Sequence, residues 1–205
     1  MSAMCCAANP KLDVLRQLLA SATHDASAAM CRWTDGLITL SLDEVRELPL
    51  EEVCPALSLG DDLLTMVVLS LEGEIGGAMI LTFDDVNGRQ LASALLGMPV
   101  NDQPQWSELE KSALTETGNI LGCAYVNAIT RLIDHELIPS APYFIQDYGA
   151  SVLQQALMVQ AVTCEKVLVC RTGFHREGED LNWRVLFVPT QALRIAMEGA
   201  LHATT

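Results

Sequence analysis

The chain is poor in aromatic residues, at 5% of its 205 positions, although half of it is hydrophobic. Its core must therefore be filled mainly by aliphatic side chains. It is also short of basic residues: 12 Lys and Arg stand against 26 Asp and Glu, for a formal net charge of −14. A surface of that sign is repelled by phosphodiester backbones and by anionic lipid, which argues against nucleic acid and membrane surfaces as partners. No stretch approaches the roughly twenty consecutive apolar residues that a membrane span requires, so no membrane insertion is expected. The first ten residues have no basic start and no long apolar run, so no secretory leader is expected. The seven cysteines are odd in number and no C-x-x-C occurs, which indicates neither a disulfide framework nor a zinc knuckle. Reduced thiols and a cytoplasmic location are the simple expectation. The four histidines (His24, His135, His175, His202) form no pair at i, i+3 or i+4, so no metal site is expected.

What is present is strong periodicity. From Lys11 to about Thr34, Leu12, Leu15, Leu19, Ala22, Ala26 and Ala29 recur at helical spacing. Leu37–Leu42 reads as a strand, and the segment after Pro49, with Pro55 and a turn signal at Gly60-Asp61, reads as a connection. Leu63–Leu71 and Ile75–Phe83 read as a β-hairpin about Glu72-Gly73-Glu74. Asp84 or Asp85 should cap a helix that runs to Leu96 and stops at Gly97 and Pro99. Ser107 with Glu110 is a capping-box pair, and Trp106 stands where a hydrophobic staple would. The helix that follows should reach Ile133, with an exit at Ile138-Pro139. A short strand near 143–146, a helix near 150–159, strands at 166–174 and 183–188 about a turn at 177–180, and a last helix from Pro189-Thr190 complete the chain.

The helix from Ser107 carries the most informative stretch, S-A-L-T-E-T-G-N, followed by twenty-two residues and Pro142. At about 100° per residue, Ser112, Glu116 and Asn119 share one face. Leu114, Gly118, Leu121, Ala128 and Leu132 share a roughly opposite, apolar face. A carboxylate and a carboxamide less than one turn apart, with small neighbours such as Ser112 and Cys123, can position a water and a cation for an approaching partner. Cys123 has no histidine near it in sequence and reads as a small packing residue at that surface. Arg32 and Arg131 read as packing or capping groups at the ends of the two long helices, and His175 as a surface residue.

Shifting the chain by 99 positions lays Asp13 on Ser112, Gln17 on Glu116, Ala20 on Asn119 and Asp43 on Pro142. Leu15, Ala29, Arg32, Asp35 and Ser41 then meet identical residues. The order long helix, strand, β-hairpin, helix is read twice. The expectation is one domain over residues 1–205 built from two related halves, about 11–97 and 106–202.

The pattern [D/S]-x-x-x-E-x-x-N-x22-P, met here at Ser112, Glu116, Asn119 and Pro142, resembles that of the CheC-type phosphatases of bacterial chemotaxis, the group that also includes CheX and FliY. K-L-D-V-L near the start, G-G-A-M-I-L-T-F in the first hairpin and F-V-P before the final helix are similar to CheC as well. The resemblance implies an α+β fold: a mostly antiparallel sheet carrying two long helices side by side about a pseudo-twofold axis. It implies a phosphatase whose substrate is a phosphorylated CheY-like receiver domain, with Asn119 orienting the attacking water and Glu116 pairing with the receiver's lysine. Ser112 and Pro142 would be supporting positions. No cofactor of its own is implied, the Mg2+ being supplied by the receiver. The first copy departs from the motif at Gln17, Ala20 and Asp43, keeping only Asp13, and is expected to be inactive. No motor-binding domain follows the second half, so a FliY-like switch component is not expected. A second reading stays open: a binding protein of little or no activity that sequesters phosphorylated CheY or binds the receptor deamidase CheD. Turnover at substoichiometric amounts separates the two.

Overall fold

The computed structural model describes residues 10–57, 63–73, 75–133, 135–161, 166–176 and 179–202. The expected turn at Gly60-Asp61 and the Glu177-Gly178 part of the last turn lie outside these residues. The elements are α1 (Pro10–Trp33), β1 (Ile38–Pro49), α2 (Leu50–Ala56), β2 (Leu63–Glu72), β3 (Gly77–Phe83) and α3 (Asp85–Leu96), then α4 (Glu108–Ile133), β4 (Ile138–Pro139), β5 (Tyr143–Tyr148), α5 (Gly149–Ala161), β6 (Lys166–Arg176), β7 (Glu179–Pro189) and α6 (Gln191–His202). The strands form one sheet in the order β1-β6-β7-β3-β2, with β4 and β5 both paired to β2, and each pairing is antiparallel.

Strand alternation divides the core in two. Val67, Leu69, Met79, Leu81, Leu168, Val185 and Phe187 point to the side covered by α1 and α4. Met66, Val68, Ile80, Val167, Val169, Leu186 and Val188 point to the other side and meet Val53 of α2 and Leu153 and Leu157 of α5. This period-two division is why the central strands read as nearly unbroken apolar runs: both faces are buried.

Helices α1 and α4 lie side by side and antiparallel. Trp33 near the end of α1 touches Thr117 in the first half of α4, while Thr23 and Asp25 reach Tyr125 and Arg131 further along it. Tyr125 is fully buried, and its hydroxyl lies 2.8 Å from Thr23 Oγ1 on α1 and 2.7 Å from Thr172 Oγ1 on β6. Burial pushes the phenol's pKa up, so it stays protonated and can donate. Cys170 beneath it is pushed up to about 12 by burial and is an inert thiol.

Four expectations need correction. Strand β1 does not stop at Leu42 but continues to Pro49 through a bulge between Leu42 and Glu44. The charged run Asp43-Glu44-Arg46-Glu47 is tolerated because β1 is an edge strand, where charge is exposed to water. The segment after Pro49 includes a short helix, α2, despite Pro55 inside it. Trp106 makes no staple: the position four into the helix is Lys111, and the indole packs under the Arg89 guanidinium (4.4 Å to the ring centroid) and against Phe144. His175 is half-buried rather than on the surface, with Nε2 2.6 Å from Ser41 Oγ.

Candidate functional site

The site face belongs to α4, and three contacts set that helix in place. Its start is fixed by Glu110, whose carboxylate accepts from the Ser107 N–H (2.8 Å), the Ser107 hydroxyl (2.7 Å) and Asn101 Nδ2 (2.8 Å). Ser107 Oγ in return accepts from the Glu110 N–H, completing the capping box. Arg89 of α3 is 3.6 Å from the second carboxylate oxygen, and both side chains are buried. Burial alone would raise the Glu110 pKa, but the hydrogen bonds from Asn101 and Ser107 and the Arg89 charge outweigh it, and the net shift is downward.

The middle of α4 is pressed onto β2. A Cβ at Gly118 would stand 2.5 Å from Val67 Cγ1, and one at Gly122 2.7 Å from Leu69 Cδ1. Only glycine permits that approach. Gly118 directly precedes Asn119, so the backbone that carries the amide rests on the sheet. The signal for this was in the sequence as two glycines one helical turn apart on the buried face.

The third contact is lateral. Thr117 is fully buried, donates to the Ala113 carbonyl (2.9 Å) and accepts from Trp33 Nε1 of α1 (3.3 Å). Further along, Arg131 is ion-paired with Asp25 of α1, so this arginine ties the two helices together rather than capping one of them. Arg32 is exposed and has no ion-pair partner among the described residues. The apolar side of α4 also ends earlier than the periodicity suggests, because Leu132 is 41% exposed.

On the opposite side of α4, Ser112 and Glu116 are exposed and Asn119 is half-buried. Among the described residues Glu116 has no hydrogen bond or ion pair, and the Asn119 side chain has one hydrogen bond, from Cys123 Sγ at 3.7 Å to Oδ1. Neither group is hydrogen-bonded or ion-paired to another element among the described residues. Pro142 is half-buried in the break between β4 and β5, two strands that α4 packs against. Beside Cys123, α1 and α4 bound an open trough of about 470 Å³, with Arg32, Arg131, Asp25, Ile120 and Asn127 in its walls.

The first-copy residues are engaged differently. Asp13 is exposed and paired with Arg16 at 3.2 Å, and Gln17 and Ala20 are exposed. Asp43 sits in the β1 bulge, 3.3 Å from Ser41 Oγ and 3.8 Å from Arg171 Nε, and lies over Gly173. No group of three or more His, Cys, Asp or Glu among the described residues is placed to hold a metal ion. No helix among them is long and apolar enough to cross a membrane.

No family model matches the chain. Its sequence is similar to the CheY-P phosphatase CheC of Bacillus subtilis (strain 168), 26% identical over 183 residues that cover 87% of this chain and 88% of that protein. Its fold is similar to the crystal structure of Thermotoga maritima FliY, with a TM-score of 0.71 at 18% identity over 98% of this chain and 100% of the other. It is also similar to a chain of the CheX-CheY-BeF3-Mg2+ complex of Borrelia burgdorferi, with a TM-score of 0.56 at 18% identity over 88% and 99% of the two chains.

Proposed function

We propose, from the premise that this chain is CheC-like in sequence and fold, that it hydrolyses the aspartyl phosphate of a phosphorylated CheY-type receiver domain. The observation that carries the reading is the acid-and-amide pair: Glu116, exposed, and Asn119, half-buried, lie less than one turn apart on one side of α4, with no hydrogen bond or ion pair to another element among the described residues. An acyl phosphate on a receiver that holds its own Mg2+ needs little covalent help. Placement of water and charge suffices for transfer to water.

In this reading Asn119 enters the receiver's site and holds the attacking water in line with phosphorus. A carboxamide suits the task because it donates and accepts without carrying charge. Glu116 pairs with the receiver's lysine and sets the register of docking through a charge-assisted hydrogen bond. Ser112 leaves space at the entry, and Pro142, lacking an N–H, keeps β4 and β5 apart next to the helix. Asp13, Gln17, Ala20 and Asp43 form a second, inactive copy, since no amide stands at Ala20 and Asp43 is held by Arg171. The two halves, about 11–97 and 106–202, act as one domain with a single working site.

The test is release of phosphate from a phosphorylated CheY-type receiver at a protein-to-receiver ratio well below one. Many turnovers per molecule, reduced to background by Asn119→Ala, is the expected result. Glu116→Lys should weaken binding of the receiver. Protection of the phosphate in proportion to added protein would instead point to sequestration and overturn the enzymatic reading.

A further inference from the structure

The chain has three tryptophans, and they are placed unequally. Trp106 and Trp183 are 5% and 2% exposed, whereas Trp33 is 38% exposed. Trp33 ends α1, the helix of the inactive copy, yet it lies against α4: its Nε1 donates to Thr117, the residue next to Glu116. Its polar atom is thus satisfied, while more than a third of the residue stays exposed beside the motif. It also walls a depression of about 220 Å³ with Leu37, Leu91, Ala94 and Leu95. One residue earlier, Arg32 carries an unpaired charge into the trough beside Cys123. Asp35 lines the same depression and Asp25 the same trough, so the surroundings are mixed in charge, and Arg32 is a cation there without an ion-pair partner among the described residues.

We propose that the C-terminal end of α1, Arg32 and Trp33, is the second docking contact for the phosphorylated receiver, with the indole covering an apolar side chain at the rim of its phosphorylation site and Arg32 facing the acidic groups there. The inference rests on the reading of Glu116 and Asn119 given above. The occupant follows from continuity and charge. A protein bound over Glu116 and Asn119 also covers the adjacent end of α1, and a receiver that binds Mg2+ beside a phosphoaspartate presents carboxylates and phosphate. A tryptophan whose N–H is already anchored loses little freedom when it is covered, which makes it an efficient binding residue. The half of the chain without the acid-and-amide pair thereby contributes to recognition at the half that has it.

The test uses the full chain and a CheY-type receiver loaded with beryllofluoride and Mg2+, a stable mimic of the phosphorylated form. Acrylamide should quench Trp33 in the free protein and be shut out by the loaded receiver. Trp33→Ala should raise Kd about tenfold or more, and raise KM for turnover in step while kcat stays within about twofold. Trp33→Phe, which keeps an apolar ring but loses the bond to Thr117, should stay within a fewfold of the parent, and Arg32→Ala should flatten the salt dependence of Kd. Equal loss in Trp33→Phe and Trp33→Ala would mean that the residue acts by holding Thr117, and would overturn the docking role. So would unchanged quenching on binding. If Trp33→Ala binds like the parent while Asn119→Ala still abolishes turnover, this inference falls and the phosphatase reading stands. If the loaded receiver does not bind the parent chain, both fall.

Discussion

The two long helices occupy equivalent places in the order of elements, yet they rest on the sheet in different ways. Under the 99-residue shift, Gly118 and Gly122 of α4 fall on Leu19 and Thr23 of α1. On α4 the backbone itself meets Val67 and Leu69, at distances no side chain would allow. On α1 the same positions carry full side chains, both buried. Their outward faces differ as well: α4 shows an acid without a partner among the described residues and an amide met by Cys123, and α1 shows an aspartate tied to Arg16, an exposed glutamine and an alanine. The strand partners follow suit, since β1 runs through its bulge at Asp43 while Pro142 lies in an open break between β4 and β5. A chemical site on a helix thus needs more than its two polar residues. It needs a backbone held where those residues point the same way each time a partner arrives.

The contrast can be broken in four ways. The largest effect is expected for Asn119→Ala, which should lower turnover of a phosphorylated receiver by about 100-fold or more, with binding within about twofold. Stopped-flow decay of the receiver's phosphorylated signal measures both. Next is Glu110→Gln, which removes a buried charge that three hydrogen bonds and Arg89 stabilise, and should cost about 2–3 kcal/mol by urea unfolding at neutral pH. Because the folded pKa of Glu110 lies below its ordinary value of about 4.3, its contribution is full above about pH 5 and is lost as pH falls through the lowered folded value. The variant should therefore show a flatter loss of stability on acidification, and an unchanged acid limb would remove Glu110 from the account.

Gly118→Ala comes third. Overpacking against Val67 should destabilise by about 1–3 kcal/mol and slow turnover by displacing Asn119, and Val67→Ala should restore part of both. A stable, fully active Gly118→Ala protein would show that close seating of α4 does not matter. The smallest effect is expected from grafting. Gln17→Glu with Ala20→Asn, placed in the Asn119→Ala background, should leave turnover at background, since α1 is held by Leu19 and Thr23 rather than by glycine. Recovery of activity would mean that the two outward residues alone are sufficient.

Much of the fold was legible because local chemistry and tertiary packing agree. Asp84 caps α3 by accepting from the Asn87 N–H at 2.8 Å, and Gly97 ends it in the left-handed conformation that a glycine adopts without penalty. The Ser107–Glu110 box starts α4 where its spacing indicates. What was not legible depends on neighbours distant in sequence. Charges at Asp43–Glu47 hid the rest of β1, since nothing local reveals an edge strand. Trp106 is drawn from its own helix to Arg89 and Phe144. That Glu116 and Asn119 share one side of α4, the first exposed and the second half-buried, followed from helical spacing, but the bond of Trp33 to Thr117 did not, because eighty-four residues separate the two.

The buried phenol of Tyr125 has a consequence for how the chain holds together. One oxygen joins a hydroxyl from the opening helix to another from a strand near the far end, in a place water does not reach. Cut the polypeptide between residues 97 and 106, and each fragment would carry its share of that three-way junction into solvent. The opening helix would then lose the partner of its Thr23 hydroxyl, and the remainder would expose a phenol that the intact chain keeps dry.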